Sequence, residues 1–314
     1  MKPISPRLAS ELAELVYEIR EPSASGVYDV PISGEMLQKF DIDLGRNRVT
    51  GETGGFFGLF EKTSGFALVG HGKREYAGHH FVALRGTKTG HDWLTNGDVG
   101  YSSSVSGSLV HSGFNEAFES IKPGLSRLLT SKLNTGHVEG IHCVGHSLGG
   151  ALASLTADWI KQHYRKPVKL YSFGAPRVGL EGFATKFSHA ADGHYRCTHG
   201  ADPVPNVPLW PFIHSPISGQ EYRLDRSNGI SIEAHGMRML DKPGYRNTAN
   251  TNDWNMLHQN SMNYLTQTVR LDYNRRNEAT FSGYWAEKIS AALITLLKDA
   301  GYYSAVLAQA AISS

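Results

Sequence analysis

The stretch that decides the fold reads Ile141-His142-Cys143-Val144-Gly145-His146-Ser147-Leu148-Gly149-Gly150-Ala151-Leu152. An apolar run stands before a serine flanked by glycines, and a run rich in alanine and leucine follows it. The first run predicts a strand and the second a helix, so the serine falls on a tight strand-to-helix turn. Such a turn exposes the Ser147 hydroxyl, and glycines at its flanks let the neighbouring backbone pass closely. The pattern predicts a nucleophile elbow.

Strand and helix patterns alternate on both sides of this elbow. The predicted strands are 80–84, 141–144, 168–173, 195–198 and 222–224, and the predicted helices are 114–129, 148–164 and 180–187. An earlier hairpin is predicted from 56–60 and 66–69. Alternation of this kind predicts an α/β fold with a mainly parallel sheet and helices on both faces.

A single domain over 1–314 is predicted. Residues 1–55 read as an N-terminal extension, with a helix built on Leu8 to Ile19 and an irregular segment over 23–55. The core runs from 56 to 265. Residues 266–314 form a C-terminal extension, in which Trp285 to Lys298 reads as an amphipathic helix.

Composition excludes several classes of protein. With 314 residues, 40% hydrophobic, the chain can bury a large core, and a net charge of +2 carries no mark of a nucleic-acid binder. No apolar run is long enough for a membrane span, and no signal-peptide pattern follows the first residues. The expected location is the cytoplasm, or outside the cell by a route without a classical signal peptide.

Two cysteines, Cys143 and Cys197, supply neither a disulfide framework nor a thiolate metal site. No metal and no cofactor are predicted for this chain.

Four segments resemble the class 3 lipase family of α/β-hydrolases, and the resemblance runs from about residue 56 to 265. They are Phe81–Thr87 with Asp92-Trp93, Val110–Phe114, Val144–Leu155 and Tyr171–Gly179. The resemblance implies an α/β-hydrolase fold with a lid segment over about 88–110. It also implies a Ser-His-Asp triad with Ser147 as nucleophile.

The acid of this triad is expected after the nucleophile in the chain. Asp158 and Glu181 fall on predicted helices and are expected to be solvated. Asp202 follows the strand at 195–198 and precedes Pro203, which by itself also suits a turn. Its segment, Asp202-Pro203-Val204-Pro205, resembles the acid motif of the family, which implies that Asp202 is the catalytic acid.

The base is expected beyond the last strand, and three histidines compete. His258 precedes Tyr264, and the family commonly has its catalytic histidine shortly before such a tyrosine, although the spacing here is one residue longer. His258 is therefore the predicted base. His235, in a polar stretch without a matching motif, and His214, at a position that resembles a structural one, remain as alternatives.

Two further groups complete the predicted site. The backbone N–H of Leu148 and Thr87 from the earlier loop are expected to hold the oxyanion, although Thr87 also suits a turn. Trp93 and Leu94 stand side by side in the polar, Gly- and Ser-rich lid segment and are expected to anchor the lid. His146 is expected to pack or to form hydrogen bonds rather than to react.

The resemblance and the site together predict a carboxylic-ester hydrolase, a lipase that cleaves acylglycerol or phospholipid esters. A short-chain esterase, a phospholipase A-type effector toxin and an inactive hydrolase-fold binding protein are the alternatives. The expected partner is a lipid or ester substrate, at a membrane or micelle interface. No nucleic acid is expected, and the sequence names no protein partner.

Overall fold

The computed structural model describes residues 1–19, 32–51, 64–86, 100–134, 136–190, 193–208, 221–227, 231–238 and 243–263. The strands in these ranges are β1 (Phe40–Asp41), β2 (Arg48–Gly51), β3 (Ser64–Gly72), β4 (His79–Leu84), β5 (Tyr101–Ser103), β6 (Leu109–His111), β7 (Gly140–His146), β8 (Val168–Phe173), β9 (His194–Thr198) and β10 (Glu221–Arg223). The α-helices are α1 (Pro6–Leu15), α2 (Gly34–Lys39), α3 (Ser112–Leu133), α4 (Leu148–His163), α5 (Glu181–Ala190), α6 (Tyr245–Thr248) and α7 (residues 254–263). Short 3₁₀ turns stand at Val16–Glu18, Arg74–Tyr76, Val204–Asn206 and Ile232–His235.

The main sheet has the strand order β1-β3-β4-β7-β8-β9-β10, with β2 paired to β3. The neighbouring strands β4, β7, β8, β9 and β10 are parallel to one another. The strands β1, β2 and β4 are each antiparallel to β3. The predicted mainly parallel sheet is confirmed, and the fold is that of an α/β-hydrolase.

Helices cover both faces of this sheet, and each face has its own apolar core. Along β4, Val82 and Leu84 belong to the core under α3 and α4, whereas Phe81 and Ala83 belong to the core under α1. This alternation explains why β4 reads as an unbroken apolar run, because a parallel strand is buried on both sides.

The structure corrects two predictions about irregular segments. Residues 23–55 are not irregular throughout, since α2, β1 and β2 lie in 32–51 and two of them join the main sheet. The predicted lid over 88–110 is too long, because β5 and β6 pair as a hairpin and Val110 is fully buried. Residues 87–99 and the predicted elements at 56–60 and 285–298 lie outside the described residues.

Asp158 also differs from its prediction. It lies on α4 but is buried rather than solvated, and its carboxylate accepts a hydrogen bond from the Ser106 backbone N–H at 3.2 Å. Asp158 therefore anchors the β5–β6 hairpin to the helix that follows the elbow.

Both cysteines are free and buried. Cys143 on β7 and Cys197 on β9 are separated by β8, and burial raises the pKa of both thiols. Of the helices in the described ranges, none has the length and apolar character that a bilayer span requires. In the same ranges, no three histidine, cysteine or acidic side chains are grouped so that they could hold a metal ion.

Buried neutral histidines predict a loss of stability in mild acid. Burial lowers the pKa of His80 and His111 to about 4, and that of His146 and His194 to about 3. An unfolded histidine takes up a proton near pH 6.5, so the unfolded state binds more protons below that pH and the free energy of unfolding falls. Each such histidine is expected to remove about 2 kcal/mol by pH 5.

Thermal unfolding at several pH values tests this. The melting temperature is expected to drop steeply from pH 7 to pH 5. His194→Asn should flatten that dependence, whereas His137→Asn should not, because the His137 side chain is 81% exposed. A melting temperature that stays constant over this range would contradict the prediction.

Candidate active site

The elbow is present and its backbone is strained. Ser147, between β7 and α4, has φ 57° and ψ −132°, a conformation that side-chain-bearing residues rarely adopt. A Cβ atom at position 145 would collide with the backbone of Gly149, so glycine is required there. The Ser147 N–H donates to the carbonyl oxygen of Phe173 at 3.0 Å and ties the turn to β8.

The carboxyl ends of the parallel strands bring the site together. In the sheet register Leu84 lies opposite Gly145, and His146 lies opposite Phe173. Gly174, directly after β8, has φ +55°, and a Cβ atom there would be 2.8 Å from Asp202 Oδ2. This edge is where α/β sheets commonly carry their ligand sites.

Asp202 is buried and held by three hydrogen bonds. Its Oδ2 atom accepts from His235 Nδ1 at 2.9 Å and from the Tyr245 hydroxyl at 2.7 Å, and its Oδ1 atom accepts from the Val204 N–H at 2.9 Å. Burial alone would raise the pKa of Asp202. The electrostatic interaction with His235 and these hydrogen bonds outweigh burial and lower that pKa, so the group is a carboxylate at neutral pH.

The bond to Asp202 determines the proton position on His235. A carboxylate only accepts, so Nδ1 of His235 carries the hydrogen, and Nε2 of the neutral ring has a free lone pair. Both His235 Nε2 and Ser147 Oγ are buried and have no hydrogen-bond partner among the described residues. The arrangement therefore offers a base next to the elbow, with its other nitrogen held by an acid.

His235, not His258, is the histidine on Asp202, and the prediction of His258 as base is wrong in this respect. His258 lies on α7, with its ring 6.2 Å from that of Tyr222. Asp202 accepts its hydrogen bonds from His235, Tyr245 and Val204. The third candidate, His214, lies outside the described residues.

No local pattern in the sequence identifies His235 as the histidine on Asp202. His258 is the predicted base because a tyrosine, Tyr264, follows it. The tyrosine that contacts Asp202 is instead Tyr245, ten positions after His235. Tyr245 also stacks on His199 with ring centroids 4.0 Å apart and receives the His199 N–H at 3.0 Å. The spacing in the sequence did not indicate this contact, because it depends on how the chain returns after β10.

Of the remaining predicted residues, Leu148 and His146 are described by the structure and three others are not. Leu148 is the first residue of α4, where backbone N–H groups have no acceptor within the helix. His146 forms hydrogen bonds, as predicted: its Nε2 atom lies 2.7 Å from the His235 carbonyl oxygen. Thr87, Trp93 and Leu94 lie outside the described residues.

Comparison with known sequences identifies the part of the chain that holds the elbow and Asp202. Residues 81–212 match the family model described as Lipase (class 3). The chain is 35% identical over 146 residues to the secreted mono- and diacylglycerol lipase 1 of Fusarium solani, a match covering 46% of this chain and 43% of that protein. It is 37% identical over 106 residues to the toxin TseL of Vibrio cholerae, covering 33% of this chain and 16% of that protein.

Solved structures agree on the fold. A mutant of the lipase MDLA from Penicillium cyclopium matches with a TM-score of 0.54 and 20% identity, over 70% of this chain and 78% of that chain. Lipase II from Rhizopus niveus matches with a TM-score of 0.53 and 21% identity, over 66% and 77% of the two chains.

The sheet order, the strained elbow and the Asp202–His235 contact define the α/β-hydrolase class. Within that class, the chain is similar to the class 3 lipase family, whose model matches residues 81–212. It spans about half the length of the curated fungal relatives that it matches.

Proposed function

We propose that this protein hydrolyses carboxylic esters of acylglycerols through an acyl-enzyme on Ser147. The observation that carries the proposal is a pair of buried atoms, Ser147 Oγ and His235 Nε2, which have no hydrogen-bond partner among the described residues, with Asp202 behind the histidine. Buried polar atoms without a partner are uncommon, and at an elbow they suit a group that meets a substrate.

In the proposed mechanism His235 Nε2 takes the proton of the Ser147 hydroxyl as Ser147 Oγ attacks the ester carbonyl. Asp202 holds the imidazole through Nδ1 and stabilises its charged form. His235 then gives the proton to the departing alcohol, and the acyl group stays on Ser147. A water molecule, activated by the same Nε2 atom, hydrolyses the acyl-enzyme.

The negative oxygen that forms on the carbonyl needs donors that are already in place. We assign this role to the N–H of Leu148, where the start of α4 favours negative charge, and to Thr87, one residue after the described end of the β4 segment. The two donors come from different parts of the chain, Leu148 from the start of α4 and Thr87 from the segment that follows β4.

The substrate class follows from the family and from the names of the relatives. The Fusarium solani and Penicillium cyclopium relatives are called mono- and diacylglycerol lipases, and we propose the same ester class here. A panel of p-nitrophenyl esters from C2 to C18, with mono-, di- and triacylglycerol beside them, tests this. Hydrolysis of mono- and diacylglycerol is the expected result, and activity on C2 and C4 esters alone would assign a short-chain esterase.

A phospholipid arm belongs in the same panel, because the match to the Vibrio cholerae toxin leaves a phospholipase A-type effector as the second candidate. Release of fatty acid from phosphatidylcholine vesicles, without hydrolysis of acylglycerols, would favour that candidate. A chain that neither hydrolyses an ester nor reacts with a fluorophosphonate probe would be an inactive hydrolase-fold protein.

We propose that Trp93 and Leu94 anchor the lid. Trp93→Ala is expected to lower activity on emulsified acylglycerol at least fivefold more than activity on a soluble short ester, because an apolar lid residue meets the lipid surface. Hydrolysis rates on both substrates are compared. Equal losses would make Trp93 an ordinary packing residue.

A further inference from the structure

The N-terminal segment contacts the proposed site directly. The 3₁₀ turn Val16–Glu18, which follows α1, places the hydroxyl of Tyr17 2.7 Å from His146 Nδ1. The backbone N–H of Gly86 donates to the same hydroxyl, and a Cβ atom at position 86 would collide with it. Tyr17 lies outside residues 81–212, the part of the chain that matches the family model.

Hydrogen-bond chemistry gives this contact a direction. The carbonyl oxygen of His235 can only accept, so His146 Nε2, at 2.7 Å, carries the hydrogen and donates to it. Burial lowers the pKa of His146 to about 3, so the ring is neutral near pH 7 and its Nδ1 atom is an acceptor. The Tyr17 hydroxyl therefore donates to Nδ1. The His146 carbonyl oxygen, at 3.5 Å from the same hydroxyl, is a poorer acceptor.

The result is a continuous chain of donors. The Gly86 N–H donates to the Tyr17 oxygen, the Tyr17 hydroxyl donates to His146, and His146 donates to the backbone of His235. Gly86 directly precedes Thr87, a proposed oxyanion donor. The chain thus runs from the Gly86 backbone, which lies against the elbow, to the backbone of the base.

Ion pairs hold α1 to the segment that carries His235. Arg238, three positions after His235, pairs with Glu14, and Arg246, next to Tyr245, pairs with Glu11. The second pair is the more sheltered, with side chains 21% and 10% exposed, so it is the one expected to contribute.

We propose that Tyr17 is a positioning residue, which holds the His146 ring through Nδ1 and thereby keeps the His235 backbone in its working position. This inference rests on the proposed function. Without the Tyr17 hydroxyl, Nδ1 of His146 loses its donor, and the ring keeps the bond to the His235 carbonyl oxygen. A ring held at one nitrogen can tilt, and the His235 backbone is then less well fixed.

Tyr17→Phe with Tyr76→Phe as the matched control tests the proposal. Tyr76 also holds the N-terminal segment, because its hydroxyl donates to the Pro3 carbonyl oxygen at 3.2 Å, but it does not contact the site. Tyr17→Phe is expected to lower kcat on a soluble p-nitrophenyl ester about fivefold to tenfold, the effect of one buried hydrogen bond, with KM within about twofold. Tyr76→Phe should keep the wild-type kcat.

Nitrogen-15 NMR of the His146 ring supplies a readout that packing alone does not move. The wild-type ring, assigned by its loss in His146→Asn, is expected to be protonated on Nε2 and to accept a hydrogen bond at Nδ1. Tyr17→Phe should keep that tautomer and move the Nδ1 resonance to the position of a ring nitrogen without a hydrogen bond. Protonation on Nδ1 in the wild type, an unchanged kcat in Tyr17→Phe, or an equal loss in Tyr76→Phe would overturn the proposal. The wild-type tautomer decides the matter even where Tyr17→Phe does not fold. It also needs no activity, so failure of the proposed function is a separate result.

Discussion

Ser147→Ala should lower kcat/KM for p-nitrophenyl butyrate by about 10⁴- to 10⁶-fold, the loss typical of a triad nucleophile. The alanine keeps the backbone of the elbow and removes only the oxygen that would attack the ester. Because Ser147 Oγ has no hydrogen-bond partner among the described residues, its removal breaks no bond of the folded protein. The melting temperature should therefore stay the same or rise.

Ser154→Ala is the matched control. Ser154 lies on the same helix, is buried, and donates its hydroxyl to the Gly150 carbonyl oxygen at 3.0 Å. This substitution should keep activity within a few fold of the wild type. Retention of more than about 10% of activity by Ser147→Ala would exclude Ser147 as the nucleophile.

His235→Ala should lower kcat/KM by about 10⁴-fold or more, because it removes the proton acceptor. The backbone carbonyl that receives His146 Nε2 remains, so the contact behind the elbow is not the cause of the loss. Asp202 keeps the hydrogen bonds from Tyr245 and Val204, and the fold should survive. Initial rates on the soluble ester, with circular dichroism as the folding check, measure the effect.

His258→Ala is the control that separates the two candidates. Its ring is only partly buried and contacts Tyr222 rather than Asp202, so the variant should keep most of the wild-type activity. An inactive but folded His258→Ala, together with an active His235→Ala, would return the base to His258. The contact that distinguishes the two candidates as a base is the hydrogen bond between His235 and Asp202.

Local patterns predicted the elements near the elbow closely. The strand expected at 168–173 is β8 residue for residue, and the helix expected at 148–164 is α4 to within one residue. Apolar runs and the glycines around Ser147 carry that information, because the periodicity of a strand or helix and the clearance of a tight turn are properties of neighbouring residues.

The segments that were wrong depend on distant contacts. The short strands β1 and β2 have little apolar character of their own, and they form because the edge of β3 supplies hydrogen-bond partners. Asp158 read as a solvated helix residue, and the hairpin that buries it comes from some fifty positions earlier in the chain. Neither partner is visible in the local pattern.

The sequence by itself determined the fold class, the elbow at Ser147 and the place of Asp202 after its strand, since each follows from residues that are adjacent in the chain. Only the tertiary structure decided which histidine meets Asp202 and which tyrosines support the site. His235 and Tyr245 lie on one segment and Tyr17 on another that is more than 200 positions earlier in the chain, and no spacing rule relates either to Asp202. Their contacts arise because the chain returns across the carboxyl edge of the sheet after β10 while the N-terminal helix packs behind the elbow, and packing geometry of that kind is fixed by the whole core.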